Sequence, residues 1–303
     1  MIGPGYPNYL TDTWSYGYRS ERIYDLLDDK VRLSVADMSA IQLDTRAGFA
    51  ETFLPYLLDI LLPSQYLAAG QRLLQGWNLE QSADSPAAAY YNAVWRQTLA
   101  LTFQDELPES VWPEGGDRWF EVMRRLLATP NDPWWDDVDT ETLVETRDEI
   151  LFRAMAQARD ELVALQSRRS AEWTWGHHHQ MNLEHQSLGQ SHIGLVRWLF
   201  NRGGYRVPGG GDLVNATKWD ASADSDYSVT AAPSMRMVVS LADLDDSRWI
   251  NLTGASGHAF NKHYVDQTDL WVEGDTLPWH FSRSRIVGEG SADVLTLVPS
   301  GAE

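Results

Sequence analysis

Cysteine is absent from the 303 residues. Its absence excludes disulfides, thiolate nucleophiles and Cys-ligated metal. Long apolar runs are lacking as well. No stretch approaches the about 18 apolar residues that a transmembrane helix requires. Positive charge is scarce, with 24 Lys and Arg against 43 Asp and Glu, for a formal net charge of -19. Nucleic acid and anionic membrane are therefore not expected as partners, because both need cationic side chains to neutralise phosphate. The opening residues, Met1 to Pro7, have no basic segment followed by an apolar one and do not read as a signal peptide. A Gly-x-Ser-x-Gly nucleophile elbow is missing, which argues against a Ser-His-Asp triad of that type. No internal repeat or low-complexity linker interrupts the chain.

Apolar residues make up 43% of the chain, enough for a sizeable core. The 14 Trp include the groups Trp134-Trp135 and Trp173-Thr174-Trp175, which read as core before they read as a binding cleft. Residues 1–18 are rich in Gly, Pro, Tyr and Asn and read as loop. Helical spacing is expected over 19–29. A second helix opens at Ser34, with Asp37 in the reciprocal capping position, and leads into the apolar positions Ala50, Phe53, Leu54 and Leu57. Further helices are expected over 64–75, from Ser85-Pro86 to about Leu101, near 117–128, and over 140–166. Pro86 takes the first helical position of its helix, and Thr140 is read as the N-cap of the last, with Asp139, Glu141 and Glu145 near its positive end. Around Trp173 the character changes. Strand-like runs at Ser234–Leu241 and Trp249–Thr253 flank the acidic turn Asp243–Asp246 and predict a hairpin. A last strand is expected over Asp293–Val298. The expected class is α+β, with a mainly helical segment over 1–170 and a β-rich segment over 171–303 that together form one continuous body.

Three clusters invite a chemical reading. His177-His178-His179, with His185 and His192, suggests zinc, which needs three or four converging ligands. Consecutive residues of an extended chain point to opposite faces, so at most two of the three could converge, and no metal site is expected. Gly209-Gly210-Gly211 lacks the Lys-Ser/Thr of a phosphate-binding loop and reads as a tight turn that uses positive φ. Asp136-Asp137-Val138-Asp139 reads as a solvated acidic loop that caps the following helix. Asn215-Ala216-Thr217 and Asn251-Leu252-Thr253 fit the glycosylation pattern, a match too short to carry weight.

Several segments, in order, resemble the penicillin acylase (penicillin amidase) family of N-terminal-nucleophile hydrolases. They are Gly3-Pro4-Gly5-Tyr6-Pro7 with Trp14 and Gly17-Tyr18-Arg19-Ser20-Glu21-Arg22-Ile23; Asp37-Met38 with Ile41-Gln42-Leu43-Asp44; Pro133–Asp137; Trp175-Gly176 with His179; His185 with Leu188-Gly189; Val207–Asp212 with Val214-Asn215-Ala216; Pro233–Val239; Gly254–Gly257; and His263-Tyr264 with Asp266-Gln267 and Trp271. His185-Gln186-Ser187 departs from the family's His-Pro-Leu-Gly.

The resemblance implies the C-terminal part of a β-subunit within a four-layer αββα fold. It implies an amidohydrolase that cuts N-acyl compounds such as penicillins or acyl-homoserine lactones. In the family a precursor cleaves itself, and the new N-terminal Ser attacks the amide while its own α-amine takes the proton. An α-amine has an ordinary pKa of about 8, so part of it is free base at neutral pH. A backbone N–H and an Asn hold the oxyanion. By the resemblance, both that Asn and the Ser fall upstream of Met1, and the isolated chain is expected to be inactive. Arg19 matches the family Arg that orients the oxyanion Asn and the substrate; on residues alone it reads as a surface ion pair at a helix start. Asn8 lies where some members supply an acidic calcium ligand, but an Asn adds no charge and no metal site is expected there. His179 and His185 become core or supporting residues. No cofactor is implied for this chain, with calcium an expectation for the intact enzyme only. The implied partners are an N-acyl small molecule and the rest of the same precursor, its β-chain and α-subunit. The implied location is periplasmic or extracellular. The alternative to an enzyme part is a non-catalytic remnant or a binding or assembly module.

Overall fold

A computed structural model describes residues 5–11, 16–28, 30–288 and 295–299. Two compact units emerge from the contacts within the chain. The first comprises residues 1–30 and 43–233, the second residues 31–42 and 234–303.

In chain order the elements are α1 (Tyr18–Asp28), α2 (Val35–Gln42), α3 (Gly48–Asp59), α4 (Ala68–Leu74), α5 (Pro86–Phe103), α6 (Arg118–Leu127), α7 (Arg147–Leu165), α8 (Trp175–His178), β1 (Gln180–Leu183), α9 (Gly194–Phe200), β2 (Arg202–Arg206), β3 (Met235–Val238), β4 (Arg248–Asn251), α10 (Thr268–Glu273), β5 (Leu277–Pro278) and α11 (Arg283–Gly288). The architecture is mixed α+β, with small sheets and more helix than strand. The second half is less β-rich than its Gly punctuation suggests, because much of it is turn and irregular backbone. The expected strand over Asp293–Val298 does not form in its described part, residues 295–298; Asp293 and Val294 lie outside the described residues.

The first unit is built on α5. Ser85 accepts the Ala88 N–H, and Pro86 starts the helix where a missing N–H costs nothing. Most of the helix is buried on every side, from Ala87 to Phe103. It packs along α7, whose face of Ile150, Leu151, Ala154, Met155, Ala158 and Leu162 repeats at helical spacing. An aromatic cluster ties α5 to α3 and α6. Phe49 and Phe53 of α3 meet Trp95 of α5 at 5.1 and 5.7 Å between ring centroids, and Trp95 stacks on Phe120 of α6 at 5.4 Å.

Two expectations need correction here. The apolar spacing from Met38 to Leu57 is not one helix. It breaks after Gln42, where Arg46 pairs with Glu80 in an isolated β-bridge, and resumes at Gly48. The long helix does not start at Thr140. Thr146 is its N-cap, and Glu149 completes a capping box by accepting from the Thr146 N–H and hydroxyl at 2.8 Å each. Thr140 instead donates to the buried Glu145, and Asp137 and Glu145 both grip Arg153 at 2.8 and 3.0 Å. The acidic loop is thus an anchor for one arginine and not a helix cap.

In the second unit, Ser34 and Asp37 bond reciprocally at the start of α2, as expected. β3 and β4 form an antiparallel hairpin, Met235 opposite Asn251 and Val238 opposite Arg248, joined through the 3₁₀ turn Leu244–Asp246. β5 extends the sheet on the far side of β4. Gln267 Oε1 accepts the Asn251 N–H, and the Arg236 guanidinium lies 3.8 Å over the Trp271 ring while donating to the Trp271 carbonyl.

Candidate active site around Arg19

Four segments that are far apart in sequence meet in the first unit. Arg19, in the first turn of α1, donates from Nε to the Leu213 carbonyl at 2.6 Å. Its Nη2 lies 3.9 Å from the buried Asp212 carboxylate. One helical turn on, Arg22 grips both oxygens of Asp44, with Nη2 to Oδ2 at 2.7 Å. That carboxylate holds the Arg22 guanidinium above its usual pKa. The Asp44 carbonyl accepts the Asn215 N–H at 2.9 Å. The loop 207–217 is thereby pinned from α1 and from the segment before α3.

Its third anchor is Trp175, whose indole donates to the Gly209 carbonyl at 2.9 Å. Gly209 adopts φ +102°, and a Cβ there would lie 2.4 Å from the Asn215 carbonyl oxygen. Only Gly fits that turn. Of the three consecutive glycines, Gly209 alone uses positive φ; Asp212 follows at φ 58°.

A cavity of about 220 Å³ opens beside this loop. Asp212, Leu213 and Tyr18 reach it from the Arg19 side, and Phe49, Trp95 and Phe120 form apolar wall. Burial pushes the Tyr18 hydroxyl up to about 12, so it stays protonated at neutral pH. Asp117, at φ 43°, and Lys218 also line the cavity, 3.8 Å apart. Sequence reasoning missed the cavity. Its residues come from α1, α3, α5, α6, the turns at Gln81 and 114–117, the 211–220 loop and Thr230, and no local pattern links them. A visible hint is Asn92, a polar residue inside the apolar run Ala87–Val94.

The histidines do not assemble. Trp175–His178 is one helical turn, not the extended chain assumed above. His179 is fully buried, stacked on Trp175 at 4.4 Å, with Nδ1 2.9 Å from the Tyr227 carbonyl and Nε2 3.0 Å from the Thr217 hydroxyl. Burial lowers it to about 4, which keeps the ring neutral. His185 Nδ1 accepts the Ser187 and Leu188 N–H groups. His192 is exposed. Among the described residues no group of three or more His, Asp or Glu converges as a metal site, and Asn8 is exposed, so the described donors do not fit a calcium cage.

Comparison with known proteins gives this convergence a family. The sequence profile described as Penicillin amidase matches residues 1–287. The chain belongs to the penicillin amidase family. It is 26% identical to the acyl-homoserine lactone acylase QuiP of Pseudomonas aeruginosa over 99% of its own length and 38% of that protein. It is also 26% identical to the penicillin acylase 2 proenzyme of Pseudomonas sp. (strain SE83), over 95% of this chain and 36% of the proenzyme. The chain therefore spans little more than a third of these relatives. A thermostable penicillin G acylase from Alcaligenes faecalis shares the fold, with a TM-score of 0.58 over 99% of this chain and 56% of that chain, at 16% identity. The segments that meet at Arg19 are those by which the sequence resembles the penicillin amidase family.

Proposed function

We propose that this chain is the C-terminal β-subunit part of an acylase-like amidohydrolase that cleaves the amide bond of N-acyl compounds. The observation that carries it is the meeting of Arg19, Arg22, Asp44, Trp175 and the 209–215 loop in one hydrogen-bonded assembly. Such an assembly fixes the Arg19 guanidinium against Asp212 and Leu213, two residues that line the cavity, and fixed cations and dipoles are what an acyl-transfer site needs beside its oxyanion. In this reading the Ser nucleophile, with its α-amine as base, and the oxyanion Asn come from residues beyond the 303. Arg19 is a positioning residue for them, and the helices supply the wall of the acyl pocket. The complete body is an αββα sandwich exported from the cytoplasm. The substrate is a penicillin, an acyl-homoserine lactone or a related N-acyl compound.

The test is mutation of Arg19 in the protein expressed with all the coding sequence that adjoins these residues in frame. With a panel of N-acyl substrates, Arg19→Ala is expected to lower kcat by about tenfold or more, and Arg19→Lys to recover part of it, because Lys keeps the charge but loses the Nε fork. An Arg19→Ala enzyme with unchanged kcat and KM would sink the assignment.

A further inference from the structure

Around Tyr66 the chain gathers positive charge, although its net charge is -19. Arg159 of α7 is 3% exposed. Its Nε donates to the Tyr66 carbonyl. The Tyr66 ring lies 3.5 Å from its guanidinium carbon, and the buried Trp173 ring lies at 5.7 Å. No described carboxylate pairs with Arg159, and its Nη1 is buried without a hydrogen-bond partner. The buried Arg96 shows the ordinary arrangement, with Glu161 at 2.7 Å. A guanidinium taken out of water without an anion keeps the cost of desolvation and gains no Coulomb energy in return.

Two more arginines stand close by. Arg72 of α4 donates from Nη2 to the Gln65 carbonyl at 3.2 Å, next to Tyr66. Arg168 is exposed and acts on the Tyr66 hydroxyl. That hydroxyl donates to Asp160 at 2.7 Å, a bond that pushes it above its usual pKa against the pull of Arg159 and Arg168. Neither Arg72 nor Arg168 pairs with a described carboxylate, whereas the neighbouring Arg169 is matched by Glu172 at 3.0 Å. Arg168, just past the end of α7, suits the negative end of that helix. Arg159 lies inside α7 and is buried, so the helix end does not account for it. Three guanidinium groups against Asp160 leave an excess that one divalent anion neutralises. Guanidinium N–H forks match the oxygens of sulfate and phosphate.

We propose that Arg159, Arg72 and Arg168 form a binding site for a free divalent oxyanion, sulfate or phosphate, with the Tyr66 side chain as its lid. Tyr66 is 49% exposed and sits in the turn before α4. Its ring swings outward while its carbonyl keeps the Arg159 Nε. A seat recessed under one side chain takes a small tetrahedral ion, whereas a phosphodiester carries a single charge and is tethered at two ends. Binding there breaks no bond and stands apart from the acylase reading.

The experiment is calorimetric titration of the protein carrying all coding sequence that adjoins these residues in frame. The probes are sodium sulfate, sodium phosphate and dimethyl phosphate, with sodium chloride keeping the ionic strength constant. Sulfate and phosphate should bind at millimolar concentration, and dimethyl phosphate at least about tenfold more weakly. Arg159→Met should abolish binding. Arg168→Gln should weaken it by about threefold. Tyr66→Ala should tighten it by about threefold, because no ring then has to leave the guanidinium. Circular dichroism checks that each variant folds; if Arg159→Met does not, Arg168→Gln and Tyr66→Ala decide. No binding of sulfate or phosphate, dimethyl phosphate bound as tightly as sulfate, a folded Arg159→Met with unchanged affinity, or Tyr66→Ala binding no more tightly than the parent would overturn the proposal.

Discussion

Gly209 is the residue on which the 207–217 loop turns, and Gly211 two positions on is a natural control. A Cβ at Gly209 meets backbone, whereas at Gly211 it meets nothing within 4 Å. Gly209→Ala should therefore cost about 2–4 kcal/mol of stability and Gly211→Ala less than about 0.5 kcal/mol, measured by urea denaturation. Equal effects would mean that the loop is not held as described. His179 gives a prediction in pH. Its pKa falls from 6.5 unfolded to about 4 folded, because burial penalises the charged ring. The unfolded chain binds more protons than the native one between those values, so stability is full above about pH 6.5 and declines as pH falls toward 4. His178 is lowered in the same direction by burial and by His177. Glu121, held down to about 2 by Arg124, adds its loss only below about pH 4.5. The denaturation midpoint should thus already drop between about pH 7 and about pH 5, and a flat profile there would contradict a buried neutral His179. At this scale the sequence made Arg19 visible only through its resemblance to family motifs. Its partners, the Leu213 carbonyl and Asp212, follow from chain folding over nearly two hundred positions, and no spacing rule reaches that far.

Among the elements, α5 was legible because its cap, its N1 proline and its apolar run all agree. The start of α7 was misread because acidic residues and a Thr recur at both 139–141 and 145–149, and either group suits a helix N-terminus. What separates them is the half-buried Arg153, which draws Asp137 and the buried Glu145 into an ion-pair network and leaves Thr146 and Glu149 to cap. Thr146→Ala should therefore cost about 1 kcal/mol through the lost cap, and Glu149→Gln should cost less, since Gln also serves in a capping box. Thermal melts of the two variants check this, and a Thr146→Ala protein as stable as the parent would place the helix start elsewhere. The second-half strands were overread for a related reason. β-branched and aromatic residues there bury against loops and single helical turns, as Trp175 and Tyr227 do, as readily as they would in a ladder.

For the molecule as a whole, the net charge of -19 is the property composition states most directly. Like charges repel across the folded surface, and salt screens them over a Debye length of about 10 Å at 0.1 M. Raising sodium chloride from about 0.02 to about 0.5 M should raise the Tm, and a fall would mean that the surface ion pairs outweigh the general repulsion. The mixed α+β class and the family were legible in the order of short motifs along the chain. The cavity was not, because it exists only once α1, α3, α5 and α6 have packed around Trp95. The measurement that bears most directly on the account is hydrolysis of N-acyl substrates, penicillins and acyl-homoserine lactones included, by two purified proteins side by side. One is the 303-residue chain; the other carries in addition all coding sequence that adjoins it in frame. The account predicts amide cleavage by the longer protein and none by the 303 residues alone. Turnover by the 303-residue chain, or an inert longer protein that begins its β-chain with Ser, would contradict it.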